Sequence, residues 1–229
     1  MNDSLLDENL RQIRDSVLKL CAGFGDAYWL EHDRTAEFPE TFYRAIADAG
    51  WLGIAMPEQY GGAGLGIVEA AVLMQAIAES GAAMSGASAV HMNIFGLQPV
   101  VVFGSDEQKQ RMLPPLLQGR EKACFAVTEP DAGLNTTQIK TMAKREGDRY
   151  VVSGSKIWTS TAQVADKVLL LARTRYCQRA IFPIFAQLKR HFIANISHSA
   201  YLISAAEYDL TFLAPPDRSA CYALPPPLF

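Results

Sequence analysis

The sequence is poor in the residues that build disulfide-linked or metal-bound scaffolds. It has four cysteines in 229 residues, with no C-x-x-C pair, and its four histidines show no metal-ligand spacing. We therefore expect neither a disulfide framework nor a bound metal, and free thiols fit a reducing cytoplasm. A basic excess is also missing, because the net charge is -3, and this argues against a nucleic-acid binder.

Signals for export and for membrane insertion are missing as well. Residues 1–8 are polar and acidic, whereas a secretory signal begins basic and continues apolar. No uninterrupted apolar run reaches the length of about 18 residues that a transmembrane helix needs. The sequence thus predicts a cytoplasmic protein with no membrane insertion.

Glycine disappears from the last part of the chain. All 16 glycines lie in residues 1–175, while residues 176–229 contain six of the 12 prolines. A compact domain needs glycine at turns and helix ends, and the apolar residues of this last segment keep no regular period. We interpret residues 176–229 as a foreign tail, frameshifted or alternatively spliced, with a short helix over residues 182–192. A Pro-ended helical extension is the alternative.

The first 120 residues carry helical periodicity, and the period changes after them. Apolar spacing and a capping box predict helices over residues 6–20, 40–49, 66–80, 85–103 and 106–119. Short alternating or apolar runs then predict strands over residues 123–128, 136–145, 149–153 and 164–172, the middle two forming a hairpin. Helices followed by strands predict an α+β chain with a boundary near residue 120.

Three stretches could carry nucleotide chemistry. The glycine cluster at residues 61–66 does not follow a predicted strand and lacks the spacing of a dinucleotide-binding loop, so we interpret it as a tight turn. Residues 125–133 and 156–160 are more specific, because a strand enters a Thr-Glu-Pro turn and a Trp adjoins two hydroxyls. Such residues suit a flavin platform; a core Trp with a surface turn is the alternative.

The last two of these stretches resemble the signatures of the acyl-CoA dehydrogenase family. Residues 125–135 match the family pattern [aromatic]-x-V-T-E-P-x-A-G-S-[DN] at all but one position, and residues 154–161 match G-x-K-x-[WF]-[IT]-[ST]-[NST]. Further similar segments are residues 50–53, 57–62 and 104–109. The resemblance covers about residues 5–175.

The resemblance implies a fold and a domain organisation. The family has an N-terminal all-α domain, a middle β-barrel and a C-terminal four-helix bundle, with FAD between the barrel and the last helices. It therefore implies an α+β fold with an N-terminal helical domain (residues 1–120), a truncated β-barrel domain that contacts the flavin (residues 121–175) and a non-homologous tail (residues 176–229).

The resemblance also implies site residues. The positions that contact FAD in the family are Phe125, Val127, Thr128, Trp158 and Ser160. The positions that contact substrate are Leu134 and Asn135. Leu134 stands where the family usually has a serine, and Asn135 beside it is the residue that compensates.

The activity implied by the resemblance is the FAD-dependent α,β-dehydrogenation of an acyl-CoA thioester, with an electron-transferring flavoprotein as acceptor. The family's base, a glutamate of its C-terminal domain, matches no residue here, so we name no catalytic residue and expect the 229-residue chain to be inactive. Homo-oligomers are typical of the family, although most of their contacts lie in that same domain. The alternatives are a non-catalytic fragment or interaction module, and a related flavoenzyme such as a nitroalkane oxidase or a flavin monooxygenase.

Overall fold

The computed structural model describes residues 7–146, 149–174, 181–187, 200–201, 206–208 and 210–212. The chain divides into two compact units: residues 1–101 with 109–122, and residues 102–108 with 123–229. The first unit is helical and the second is built on a sheet, so the predicted α+β order of helices followed by strands is confirmed.

Seven α-helices lie in the first 120 residues. They are α1 (Glu8–Cys21), α2 (Asp26–Thr35), α3 (Glu40–Asp48), α4 (Ile67–Ile77), α5 (Ala83–Ile94), α6 (Gln98–Phe103) and α7 (Asp106–Leu117). The sequence predicts all of them except α2, and it predicts α5 and α6 as one helix. Helix α2 buries only Trp29, so its sequence carries no apolar period from which a helix could be predicted.

Helix termini follow the local sequence. Asp7 caps α1, since its carboxylate accepts a hydrogen bond from the Leu10 N–H at 2.9 Å. The predicted capping box opens α7: the Ser105 N–H donates to Gln108 Oε1 at 2.8 Å, and the Gln108 N–H donates to Ser105 Oγ at 3.3 Å. These bonds satisfy backbone donors that the first turn of a helix leaves unpaired.

Helix α4 departs from its prediction. The sequence predicts a helix that is apolar and buried all round, but Ile67 and Val68 are 63% and 55% exposed. The helix buries one face only, through Ala70, Val72, Leu73, Ala76 and Ile77. The prediction is wrong because apolar composition alone does not say which side of a helix meets a neighbour.

The stretch Ile67–Phe103 is long and apolar enough by composition to resemble a membrane span. Its backbone is not one continuous helix, because Gly81 has a φ of +94° and separates α4 from α5. The longest of the three α-helices in it has 12 residues, whereas a span needs about 20. We interpret the stretch as core helices of the first unit.

The glycine cluster forms the predicted turn, which lies along residues 53–56. Gly64 N–H donates to the Met56 carbonyl at 2.8 Å, and Leu65 N–H donates to the Ile54 carbonyl at 3.0 Å. A Cβ on Gly62 would lie 2.1 Å from the Met56 oxygen. Glycine is therefore required at residue 62 for the close packing of two backbone segments.

The described residues of the second unit form nine strands. They are β1 (Ala123–Ala126), β2 (Met142–Glu146), β3 (Arg149–Ser153), β4 (Lys156–Ile157), β5 (Lys167–Thr174), β6 (Ile181–Gln187), β7 (Ala200–Tyr201), β8 (Ala206–Tyr208) and β9 (Leu210–Phe212). The main sheet has the order β8-β3-β2-β5-β6-β9, and β1 also pairs with β5. Strands β4 and β7 form a separate pair.

Strand β5 organises this sheet. Its first half pairs in parallel with β1, and its last two residues pair in parallel with β2, so β1 and β2 follow one another along the same edge. Its other edge pairs with β6 in antiparallel orientation. The interior of β5 is buried through Val168, Leu169, Leu170 and Ala172.

Two predictions for the second unit, one of a strand and one of a helix, need correction. The hairpin of β2 and β3 forms, but β2 begins at Met142, because residues 136–138 form a 3-10 turn. The helix predicted over residues 182–192 is wrong for residues 182–187, which belong to β6 (Ile181–Gln187). The β-branched and aromatic residues of this segment favour a strand once β5 offers an unpaired edge. Residues 188–192 lie outside the described residues.

We predict that Gly62→Ala destabilises the first unit by about 2–3 kcal/mol, the usual cost of overpacking a site that cannot relax. The Met56 backbone must move, because the new methyl would overlap its carbonyl. The control is Gly23→Ala, whose Cβ meets only the Leu20 carbonyl at 3.5 Å. Denaturant unfolding followed by circular dichroism measures both, and equal stability of the two variants would contradict the packing argument.

Candidate functional site

The first signature segment begins in β1. Side chains alternate along this strand: Cys124 and Ala126 are buried, whereas Phe125 is 36% exposed. Val127, directly after the strand, is half-buried. Burial raises the pKa of the Cys124 thiol to about 12, so this cysteine is inert at neutral pH.

The second signature segment contains β4 and has unusual backbone geometry directly after it. Trp158 has a φ of +57° and its side chain is 69% exposed. Thr159 is buried, and Ser160 is exposed. The exposure of Trp158 excludes the alternative of a core tryptophan. A bulky residue in the left-handed region costs about 1–2 kcal/mol and is typical of ligand-contacting sites.

Direct hydrogen bonds join the two segments. The Ile157 N–H donates to the Thr128 carbonyl at 2.9 Å. The Lys156 ammonium donates to the Val127 carbonyl at 2.8 Å. The five residues predicted to contact a flavin therefore lie on two adjoining stretches of backbone. They are Phe125, Val127, Thr128, Trp158 and Ser160.

Glu129 is the centre of this arrangement, and the sequence analysis assigns it no role. Its side chain is 6% exposed, and it forms an ion pair at 2.9 Å with Lys156, which is fully buried. Further donors to its carboxylate are the N–H of Lys140 at 2.5 Å, the N–H of Thr141 at 2.9 Å and the Thr141 hydroxyl at 2.5 Å. The carboxylate thus connects three segments of the second unit.

The environment of Glu129 fixes its charge. Burial by itself raises the pKa of a carboxyl group, but the hydrogen bonds from Thr141, the Lys140 N–H and Lys156 outweigh it and hold the pKa of Glu129 at about 2. Burial lowers the pKa of Lys156, and the neighbouring carboxylate opposes that shift. A carboxylate with so low a pKa is a poor proton acceptor near neutral pH, so Glu129 has a structural role.

Gly154, the first residue of the second signature, packs against the same cluster. A Cβ on Gly154 would lie 2.3 Å from the Thr141 hydroxyl oxygen and 2.7 Å from the Thr141 Cα. Glycine at residue 154 therefore lets the backbone approach Thr141, which donates two hydrogen bonds to Glu129. The glycine and the lysine of the second signature both support the glutamate of the first.

The two predicted substrate residues lie in the loop after Glu129. Leu134 is fully exposed, and the Asn135 Oδ1 accepts a hydrogen bond from the Thr137 hydroxyl at 2.5 Å. Among the described residues, neither forms a hydrogen bond to residues 125–128 or 156–160. The structure therefore brings the five residues predicted to contact a flavin together, but it shows no hydrogen bond that joins Leu134 or Asn135 to them.

The exposed groups fit a flavin ring. Phe125 and Trp158 offer partly exposed aromatic surface, and Ser160 adds an exposed hydroxyl beside Trp158. The buried Thr159 hydroxyl has no hydrogen-bond partner within the described residues. A flat ring with a polar edge needs this combination of apolar contact and nearby hydrogen-bonding groups. No group of three metal-ligating side chains occurs in the part of the chain that the structure describes.

We predict that Trp158→Gly is more stable than Trp158→Ala by about 0.5–1 kcal/mol, because only glycine adopts a positive φ without strain. The control pair is Gln163→Gly and Gln163→Ala at an exposed residue outside the positive-φ set. There alanine should be the more stable. Thermal unfolding measures the stability of all four variants. If alanine were more stable than glycine at residue 158 as well as at residue 163, the backbone of Trp158 would not be strained.

A second prediction concerns acid stability. The pKa of Glu129 is about 2 in the folded chain, below the ordinary value of 4.5 for a glutamate. Its stabilising contribution is therefore present above the unfolded pKa and is lost as the pH falls from about 5 to 2, by up to ~3 kcal/mol. The neutral pair Glu129→Gln/Lys156→Met should lose less stability over that range. If the wild type and the neutral pair showed equal slopes of unfolding free energy against pH, the low pKa of Glu129 would be contradicted.

Two family models match the chain. The acyl-CoA dehydrogenase N-terminal domain matches residues 7–120, and the acyl-CoA dehydrogenase middle domain matches residues 124–186. The second match continues into the first residues of the segment predicted as a foreign tail. The relation of residues 187–229 to the family, and the predicted domain boundaries, stay predictions.

Individual relatives agree with these models. FadE12 of Mycobacterium tuberculosis, an acyl-CoA dehydrogenase, is 34% identical over 175 residues, which is 75% of this chain and 44% of the relative. Mitochondrial isovaleryl-CoA dehydrogenase of Bos taurus is 32% identical over 171 residues, 74% of this chain and 40% of the relative. The chain thus spans less than half the length of these curated relatives.

Solved structures show the same fold. A glutaryl-CoA dehydrogenase from Mycobacterium smegmatis, in complex with FADH2, superposes with a TM-score of 0.76 at 23% identity, covering 90% of this chain and 55% of that one. A glutaryl-CoA dehydrogenase with bound glutaryl-CoA gives 0.78 at 22% identity, covering 92% of this chain and 57% of that one. The N-terminal and middle domain models of the family match in order, and the fold is the same. The chain therefore belongs to the acyl-CoA dehydrogenase family.

Proposed function

We propose that residues 125–128 and 158–160 form one wall of the FAD site of a flavin-dependent oxidoreductase that dehydrogenates acyl-CoA thioesters. The observation that carries the proposal is the pair of bonds that join the two signature segments, from Ile157 N–H to the Thr128 carbonyl and from Lys156 to the Val127 carbonyl. These bonds place the partly exposed aromatic side chains on adjoining stretches of backbone.

Each residue of the wall has a distinct task. Trp158 and Phe125 give the isoalloxazine ring apolar contact, and half-buried Val127 adds to it. Thr128 offers its hydroxyl and N–H to the polar edge of the ring, since Ile157 engages its carbonyl. Ser160 supplies a second hydroxyl. Bound FAD supplies the hydride-accepting chemistry that no amino-acid side chain has.

The substrate side of the proposal rests on the loop of residues 130–140. An acyl-CoA thioester would meet Leu134 and Asn135, and the full exposure of Leu134 leaves its side chain available for apolar contact. No described residue is assigned as the base that removes the α proton, because Glu129 is paired and buried. The proposed location is the cytoplasm.

The proposed electron acceptor is an electron-transferring flavoprotein. A solved structure described as the electron transferring flavoprotein of Acidaminococcus fermentans superposes on this chain with a TM-score of 0.73 at 26% identity. This neighbour supports a flavoprotein partner for the family fold. We also propose that the protein forms homo-oligomers, which are typical of the family.

A related flavoenzyme with another substrate is the second candidate, and Leu134 favours it. A leucine cannot offer the hydroxyl that the family usually presents at this position. Among the relatives is a 3-(aryl)acrylate reductase of Clostridium sporogenes, 34% identical over 148 residues, 63% of this chain and 38% of the relative. The matched domains thus also occur in a protein named for a different reaction.

We predict that the 229-residue polypeptide binds FAD with a Kd in the micromolar range, about -8 kcal/mol, because the two signature segments offer only one side of a ring site. Trp158→Ala should raise the Kd about fivefold to tenfold through lost aromatic contact. Phe103→Ala is the matched control, because Phe103 is 47% exposed and lies outside both signature segments. Flavin fluorescence titration measures all three proteins.

Two outcomes would contradict this proposal. Absence of FAD binding by the wild-type polypeptide would remove the flavin function, and equal Kd values for wild type and Trp158→Ala would remove Trp158 from the site. To separate the two substrate classes, the FAD-loaded polypeptide is titrated with an acyl-CoA and with an arylacrylate, in wild type and in Leu134→Ser. Tighter acyl-CoA binding by Leu134→Ser than by wild type would favour the second candidate.

A further inference from the structure

Three consecutive residues of the first signature are bonded to the second signature. Lys156 Nζ donates to the Val127 carbonyl at 2.8 Å and to Glu129 Oε1 at 2.9 Å. The Ile157 N–H donates to the carbonyl of the residue between them, Thr128, at 2.9 Å. One ammonium group therefore holds both neighbours of Thr128.

This bonding pattern fixes the conformation of Thr128. With a carbonyl held on one side and a carboxylate on the other, the backbone torsions at Thr128 have little freedom. Its β-branched side chain is itself restricted at χ1. The direction of the Thr128 hydroxyl thus depends on the bonds that Lys156 makes.

Glu129 has hydrogen-bond donors besides Lys156, so its need for donors does not explain why a lysine is buried beside it. The carboxylate already accepts from the Lys140 N–H, the Thr141 N–H and the Thr141 hydroxyl. Replacing a buried ion pair by apolar residues is often neutral or stabilising, so stability alone is a weak reason for this pair. The bond that Lys156 adds beyond the carboxylate is the one to the Val127 carbonyl.

We propose that Lys156 is a positioning residue that orients Thr128 toward the polar edge of FAD, which rests on the proposed flavin function. Lys156 is fully buried, so it acts through Thr128 and does not touch the ring. Glu129 holds the ammonium in place, and the Thr141 cluster holds Glu129. The chain thus orients one hydroxyl by way of a buried charge pair.

A double-mutant cycle on the 229-residue chain tests this coupling. Lys156→Met removes the donor to Val127, and Thr128→Val removes the hydroxyl at nearly constant shape. Each should raise the FAD Kd about tenfold, and the double variant should be no weaker than either single variant, because coupled sites are not additive. The visible absorption of the bound flavin should shift alike in both single variants.

A stability control separates positioning from general loosening. Val152→Ala leaves a cavity under β3, where Val152 is fully buried, and lowers stability without touching the bonds to residues 127–129. It should leave the FAD Kd unchanged. If Lys156→Met fails to fold, Glu129→Gln/Lys156→Met replaces it in the cycle, since this neutral pair also lacks the donor to Val127.

The outcomes distinguish this proposal from the one on which it rests. If the wild type binds FAD and Trp158→Ala weakens binding, but Lys156→Met behaves like Val152→Ala or adds fully to Thr128→Val, Lys156 has no positioning role and the flavin function stands. If the wild type does not bind FAD, the flavin function falls and this assignment falls with it.

Discussion

The buried carboxylate of Glu129 is the interaction on which the geometry of the second unit depends. It receives hydrogen bonds from the start of the β2 hairpin and from Lys156, and it belongs to the first signature segment itself. A buried carboxylate that accepts four hydrogen bonds tolerates little movement, because each lost bond leaves a desolvated group unpaired. This explains why glycine at residue 154 and lysine at residue 156 accompany the glutamate.

The unit combines a rigid interior with a strained, exposed surface. Directly after buried Lys156 and half-buried Ile157, Trp158 adopts a left-handed backbone and exposes most of its ring. A strained residue persists only where its surroundings over-determine it, and the hydrogen bonds at residues 156 and 157 do so here. Strain at the exposed Trp158 and the hydrogen bonds beneath it are thus parts of one arrangement.

Much of this architecture could be predicted from the sequence, and the failures have physical reasons. Apolar spacing and the capping box predicted five helices that cover six of the seven observed, with α5 and α6 merged into one, because those signals are local. Helix α2 was missed because Trp29 is its only buried residue. The exposed side of α4 was missed because composition does not specify which face meets a neighbour.

The site shows the same division. The signature residues could be named because they lie within two short segments, although the residues alone left a core tryptophan open. The pairing of Glu129 with Lys156 joins positions 27 residues apart, and no periodicity reports such a contact. The close approach of Gly154 to Thr141 is likewise visible only in three dimensions.

The parallel pairing of β1 with β5 has a consequence for the order of folding. The hairpin of β2 and β3 closes a short turn and can form within about 1–10 μs. Ala123 and Lys167, in contrast, are 44 residues apart along the chain, so their contact requires closure of a long loop. We therefore expect the strand that carries Phe125 to join the sheet after the hairpin has formed. The first signature segment would then reach its final position late in folding, on a framework that the hairpin has already built.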